Sequence, residues 1–129
     1  MNIPNDLLYT QSHEWIKKGQ GGMVTMGITD HAQQQLKDIV FVELPPVGKE
    51  TKAGKPCAVV ESVKAAYDIF APTSGKVAGY NQKIKEKPQL VNDDPYGEGW
   101  FLSIEMSNPG ELDNLLTPDQ YRSFCESEH

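Results

Sequence analysis

Apolar and polar residues alternate along much of this chain, in short runs separated by turn formers. His13 to Lys18 and Met23 to Ile28 read as two strands joined by the turn-rich Gly19-Gln20-Gly21-Gly22. The period then changes. Over TDHAQQQLKD, residues 29–38, Ala32 and Leu36 share a helical face, and Asp30 followed three residues later by Gln33 predicts a capping box. Ile39 to Val42 is a β-branched and aromatic run stopped by Pro45-Pro46, and VGKETKAGKP (47–56) reads as loop and turn. Ala58-Val59-Val60 and Ile69-Phe70 supply two further strand interiors. Between them Glu61 to Ala66 reads as a hairpin tip with Lys64 at its apex, although the Asn-Gly or Asp-Gly of the tightest hairpins is missing.

Beyond Pro72 and a Thr-Ser-Gly turn, KVAGY (76–80) resumes strand character. EKPQLVNDDPYGEGW (86–100) is expected to be loop, and Trp100 to Met106 alternates as a last strand. The remainder changes character again. Pro109 suits a first helical position, with Leu112, Leu115 and Leu116 on one face. Thr117-Pro118-Asp119-Gln120 combines a threonine N-cap, a proline at the first position and a glutamine at the third. Tyr121, Phe124 and Cys125 line one side of the helix that follows, and Trp15, Phe41, Trp100 and Phe101 are expected in the core. The expected fold is mainly β: a sandwich or flattened barrel with a short internal helix and C-terminal helices, forming one domain over residues 1–129.

Composition narrows the function. A chain of 129 residues is long enough to bury a core without metal or disulfide staples. No apolar run approaches the length of about eighteen residues that a membrane span needs, and MNIPNDLLYTQ lacks the basic flank and apolar block of a signal peptide, so a soluble protein is expected. The net charge of −6 argues against non-specific nucleic-acid binding and leaves open an acidic docking surface. Cys57 and Cys125 are far apart and in no metal-ligand spacing, which fits free thiols in a reducing compartment.

Catalytic motifs are missing. His13-Glu14 begins like a zinc-protease motif but has no second histidine at helical spacing. His31 reads as a surface or capping residue, and His129 as no part of a site. There is no nucleophile elbow, phosphate loop or dinucleotide fingerprint. Lys64 has two readings, a solvated turn lysine or a site of covalent modification, and composition does not choose between them. A prosthetic group amide-linked to a lysine needs an exposed tip on a rigid base, and Ala65 and Ala66 leave that tip uncluttered.

The motifs make the choice. ESVKA at 61–65 resembles the lipoyl-attachment motif of the glycine cleavage system H protein family. SHEW (12–15), GITDHAQ (27–33), VFVELPPVG (40–48), APTSG (71–75) and NDDPYGEGW (92–100) resemble that family's other blocks, in order and at suitable spacing. Biotin carriers place methionines on both sides of the lysine, and 2-oxoacid dehydrogenase lipoyl domains usually place Asp before it; here Val63 and Ala65 flank it.

The resemblance implies a lipoyl/biotinyl-type sandwich and a carrier with no turnover of its own, with lipoate covalently bound at Lys64. It implies three partners: the pyridoxal-phosphate glycine decarboxylase, the aminomethyltransferase that serves tetrahydrofolate, and dihydrolipoamide dehydrogenase. It also implies that Glu61 and Gly75 serve recognition by lipoylating enzymes, and that Ser12, Glu14 and Asp68 line a cleft holding the amine of the loaded arm. Tyr67 departs from the smaller or polar residue expected there. A monomer is expected, in a bacterial cytoplasm or, for a processed eukaryotic chain, the mitochondrial matrix. The rival reading is a lipoate relay or regulatory homologue that uses the same hairpin without supporting glycine cleavage.

Overall fold

The structure is a computed structural model that describes residues 2–128; His129 lies outside the described residues. Among the described residues nine strands form two antiparallel sheets. The first strand, β1 (Leu8–Tyr9), pairs with β2 (Glu14–Lys18), and β2 with β3 (Met23–Ile28) through the expected glycine turn, where Gly21 and Gly22 take φ of 61° and 80°. β3 then pairs with the distant β9 (Leu102–Met106), β9 with β8 (Gly75–Tyr80), and β8 with the two-residue β5 (Glu50–Thr51). That is the six-stranded sheet, in the order β1-β2-β3-β9-β8-β5. The smaller sheet is β4 (Ile39–Glu43), β6 (Pro56–Ser62) and β7 (Ala66–Phe70), in the order β4-β6-β7.

Alternation sorts the side chains into two apolar layers, because successive residues of a strand face opposite sides. Ile16, Val24, Met26, Leu102 and Ile104 from the large sheet meet Ile39, Val42, Val60 and Ile69 from the small one, forming the main core between the sheets. Trp15 and Tyr9 point the other way. They form a second cluster with Ile3, Leu7, Tyr121 and Cys125 beneath α4 (Pro118–Ser127), where the rings of Tyr9 and Tyr121 stack at 4.6 Å. Space for the indole comes from Gly27 on β3, where any Cβ would fall 2.8 Å from Trp15 Nε1.

The helices show where local pattern suffices. α4 has the expected capping box: Thr117 accepts from the Gln120 N–H, and the Gln120 side chain accepts from the Thr117 N–H. Pro109–Asn114 is a single 3-10 segment rather than an α-helix, and Asn108 caps it. α1 (Asp30–Leu36) starts one residue earlier than expected: its N-cap is Thr29, whose Oγ1 accepts from the Ala32 N–H, while Asp30 occupies the first turn and accepts from the Gln33 side chain.

Three expectations fail. Residues 47–56 are not all loop and turn, since β5 lies within them and Pro56 opens β6. The stretch 86–100 is not plain loop: α2 (Gln82–Glu86) runs into it and α3 (Gln89–Asp93) lies within it. Each helix is five residues long and too short to show a period, so its stability comes from burying one anchor, Ile84 or Val91, in the main core. Phe41 is not core. The β4–β6 register shifts between Ile39 and Phe41, and this irregularity turns Val40 and Phe41 outward together, 56% and 48% exposed. Trp15 and Phe101 are buried as expected, and Trp100 is half-buried.

Gly75 opens β8 in a crowded position, since a Cβ there would lie 2.0 Å from the Glu105 carbonyl oxygen on β9. Gly75→Ala is therefore expected to lower stability by about 1–3 kcal/mol through overpacking against backbone, read as a fall in the thermal unfolding midpoint. An unchanged midpoint would contradict the packing described.

Candidate functional site

The β6–β7 hairpin raises Lys64 into solvent, and one side chain shapes its tip. Ser62, the last residue of β6, is buried, and its Oγ accepts from the Lys64 N–H at 3.1 Å and the Ala65 N–H at 3.4 Å. Its own N–H donates to the Ala65 carbonyl at 2.9 Å. A serine folding the chain back onto itself in this way replaces the Asn-Gly chemistry that the sequence lacks. The Val63 N–H donates to the Asp38 carbonyl at 3.0 Å, which fastens the tip to the segment between α1 and β4. Lys64 and Ala65 are exposed, so the amine stands on a braced base with little around it.

Beside the tip lies a cleft of about 720 Å3. One wall is α1, from His31 to Lys37; the other is the start of β7, Tyr67 to Ile69, with Lys64 above it. Ser12 and His13, from the turn between β1 and β2, complete the lining. Three of the residues expected at the site, Ser12, Lys64 and Asp68, thus share one concavity, with Ser12 and Asp68 both exposed.

Glu14 stands elsewhere. It is 1% exposed, and Oε1 accepts from the hydroxyls of Thr10 and Ser12, the latter at 2.6 Å, while Oε2 accepts from the Phe70 N–H at 3.2 Å. Burial raises its pKa, and these donors oppose the rise. Ser12 alone of that pair reaches the cleft, and the carboxylate lies behind it, orienting the hydroxyl. Glu61 is exposed on β6 just before the tip, opposite Ala66 and Phe41. Gly75 lies at the β8 end of the other sheet, between Thr51 and Met106 and outside the cleft lining. Tyr67 is half-buried and lines the cleft floor at the tip.

Local sequence reading set both central histidines aside, and both line the cleft. His13 sits in the left-handed region, φ 72°, held by its N–H on the Thr10 carbonyl and its carbonyl on the Thr29 N–H. Its Nδ1 lies 2.7 Å from the Tyr121 hydroxyl, and its Nε2 lies 2.9 Å from Glu128 Oε1. Burial pulls its pKa down, against the pull of Glu128. In the neutral tautomer protonated at Nε2, the ring donates to Glu128 and accepts at Nδ1 from Tyr121. The signal that could have found this pairing is the i, i+4, i+7 face of Tyr121, Cys125 and Glu128, which the helix must turn toward something.

An antiparallel sandwich with one lysine lifted on a braced hairpin tip above a cleft has the architecture expected of a lipoyl-domain-type fold. Comparison with known proteins makes the assignment specific. The glycine cleavage H-protein family model matches residues 7–128. A glycine cleavage system H protein of Carboxydothermus hydrogenoformans is 55% identical over 98% of this chain and 96% of that protein. One from Shewanella loihica is 52% identical over 98% of each. The crystal structure of a glycine cleavage system H protein from Mycobacterium marinum superposes with a TM-score of 0.87 at 40% identity, covering 96% of this chain and 99% of that one. The chain belongs to the glycine cleavage H-protein family, and its role is that of the lipoyl carrier in glycine cleavage.

Ser62→Ala removes the acceptor for two backbone donors at the tip. The expected cost is about 1 kcal/mol, with faster amide exchange confined to Lys64 and Ala65. Exchange unchanged at those two amides would mean that the serine does not shape the tip.

Proposed function

We propose that Lys64 is the attachment point and that its Nζ forms an amide with the carboxyl group of lipoate. The observation that carries this reading is the lysine itself, exposed at a hairpin apex whose backbone is tied down by Ser62 and Asp38 and open to a cleft large enough to receive an arm. The bound group supplies a dithiolane, which accepts a one-carbon fragment at sulfur and stores two electrons. The protein's part is position. Tethering places the arm at an effective concentration of about millimolar order for each docked partner.

Ser12 and Asp68 face the cleft and are the groups suited to hold the amine of a loaded arm, since a carboxylate and a hydroxyl answer an ammonium with charge-assisted hydrogen bonds. Glu14 acts on that amine through Ser12. Glu61 and the braced tip offer a modifying enzyme its grip, and Gly75 contributes by keeping β8 close to β9. The partners on this reading are the glycine decarboxylase, the aminomethyltransferase, dihydrolipoamide dehydrogenase and the lipoylating enzymes. The chain performs no turnover itself, works as one unit over its length as a monomer, and resides in the cytoplasm. Among the described residues no helix is long and apolar enough to cross a membrane.

Coexpression with a lipoylating enzyme should add one lipoyl group to the peptide containing Lys64, and none to Lys64→Arg, as read by intact mass and peptide mapping. The modified chain should then support glycine decarboxylation with the partner enzymes. Lipoylation without decarboxylation would favour a lipoate relay, and no lipoylation would remove Lys64 from its role. Asp68→Asn should shorten the lifetime of the aminomethyl-loaded form about tenfold, as the loss of one charge-assisted hydrogen bond predicts. An unchanged lifetime would exclude Asp68 from holding the amine.

A further inference from the structure

In the cleft lining, two histidines from separate parts of the chain aim at one point. His13 Nε2 and His31 Nε2 lie 2.9 and 3.3 Å from the same oxygen, Oε1 of Glu128, with their rings 4.4 Å apart. The His31 contact lacks hydrogen-bond geometry, so this buried nitrogen has no hydrogen-bond partner among the described residues. Cys125, in the last turn of α4 before its C-cap residue Glu128, completes the group: one ring nitrogen from each histidine and the Cys125 sulfur all lie within 4.8 Å of one another. A buried ring nitrogen left unanswered needs a reason. So does a histidine held at positive φ.

We propose that His13, His31 and Cys125, with Glu128 as the fourth donor, form a binding site for a divalent d-block cation of the zinc class. Two imidazoles, a thiolate and a carboxylate suit a borderline-soft, tetrahedral ion and suit magnesium or calcium poorly. Ligand separations of roughly 3.3–3.8 Å follow from metal–nitrogen and metal–sulfur bonds of about 2.0 and 2.3 Å. The two nitrogens and the sulfur close by up to about 1.5 Å from the 4.8 Å bound, while Glu128 Oε1 opens slightly from its contacts at 2.9 and 3.3 Å, movements within reach of side-chain rotation at the end of α4.

The far nitrogen of His13 already has its partner. His13 Nδ1 meets the Tyr121 hydroxyl, which meets Thr29 Oγ1 at 2.7 Å, and Thr29 Oγ1 accepts from the Ala32 N–H. Both hydroxyls can donate or accept, so this chain reverses when a cation takes Nε2: the proton moves to Nδ1 and is donated to Tyr121. A fixed partner on the far nitrogen is the usual companion of a metal-bound histidine. The ion would pin α4 to the β1–β2 turn and to α1, bracing the cleft wall, whether or not Lys64 carries a lipoyl group.

The test uses the full reduced chain carrying Lys64→Arg, because the dithiol of a lipoyl arm would bind the same ions. Zinc should bind at one equivalent, and cobalt(II) should give the charge-transfer absorption of a cobalt–thiolate bond. His31→Gln and Cys125→Ser should each weaken zinc binding on the order of 100-fold, and Tyr121→Phe roughly 10-fold, using outer-shell losses as the yardstick. Circular dichroism checks that each variant is folded. Cobalt uptake without thiolate absorption, no zinc uptake at all, or equal zinc affinity in the His31→Gln chain would overturn the proposal. If Cys125→Ser fails to fold, the cobalt spectrum of the chain with its cysteine intact decides alone.

Discussion

A carboxylate removed from water must be answered by donors, and Glu14 draws its donors from both sheets. Thr10 and Ser12 come from the turn before β2, whereas the Phe70 N–H comes from β7, the edge strand of the smaller sheet. One side chain thereby fixes the strand that leaves the hairpin tip against the turn that forms the opposite lip of the cleft. The placement of Ser12, Asp68 and Lys64 around one cavity follows from it, because Ser12 has its hydroxyl set by the carboxylate and Asp68 lies two residues from the amide it accepts. A shorter or apolar residue at position 14 would leave that amide unpaired at a sheet edge and free the two lips to separate.

The strands were legible wherever alternation ran for five residues or more. β2, β3, β6, β7 and β9 lie where period and turn residues put them, and the Thr117 capping box is written in four consecutive letters. Two residues carry no strand period and five carry barely one helical turn, so β1, β5, α2 and α3 exist through partners far along the chain. The tip is a related case. Its turn depends on a serine hydroxyl rather than on a dipeptide with a known backbone preference, and Ser62 looks like any polar strand end until its three bonds are seen.

The site was legible only in part, for a different reason. Lys64 stands out because a cation among small residues interrupts two strand runs. Ser12 and Asp68 are separated by most of β2, β3, α1, β4 and β6, and family likeness paired them where physics of the local sequence could not. Glu14 was expected to contact an amine directly, and in this structure it is buried behind Ser12, whose hydroxyl it accepts from. His13 and His31 fail every local motif test, since their relation exists only after the β1–β2 turn and α1 come together and α4 packs over them.

The pairing of β3 with β9 sets the order in which the molecule can be completed. Met26 lies opposite Leu102, so the centre of the large sheet joins parts of the chain that emerge far apart in time. At a synthesis rate of about 5–20 residues per second, β3 waits seconds with an open edge before its neighbour exists. The β6–β7 hairpin is local and complete long before then. Closure of so distant a pair also places folding in the slower range of about milliseconds to seconds. A modifying enzyme that recognises the hairpin alone can therefore act on a nascent chain, whereas one that reads the cleft must wait for β9.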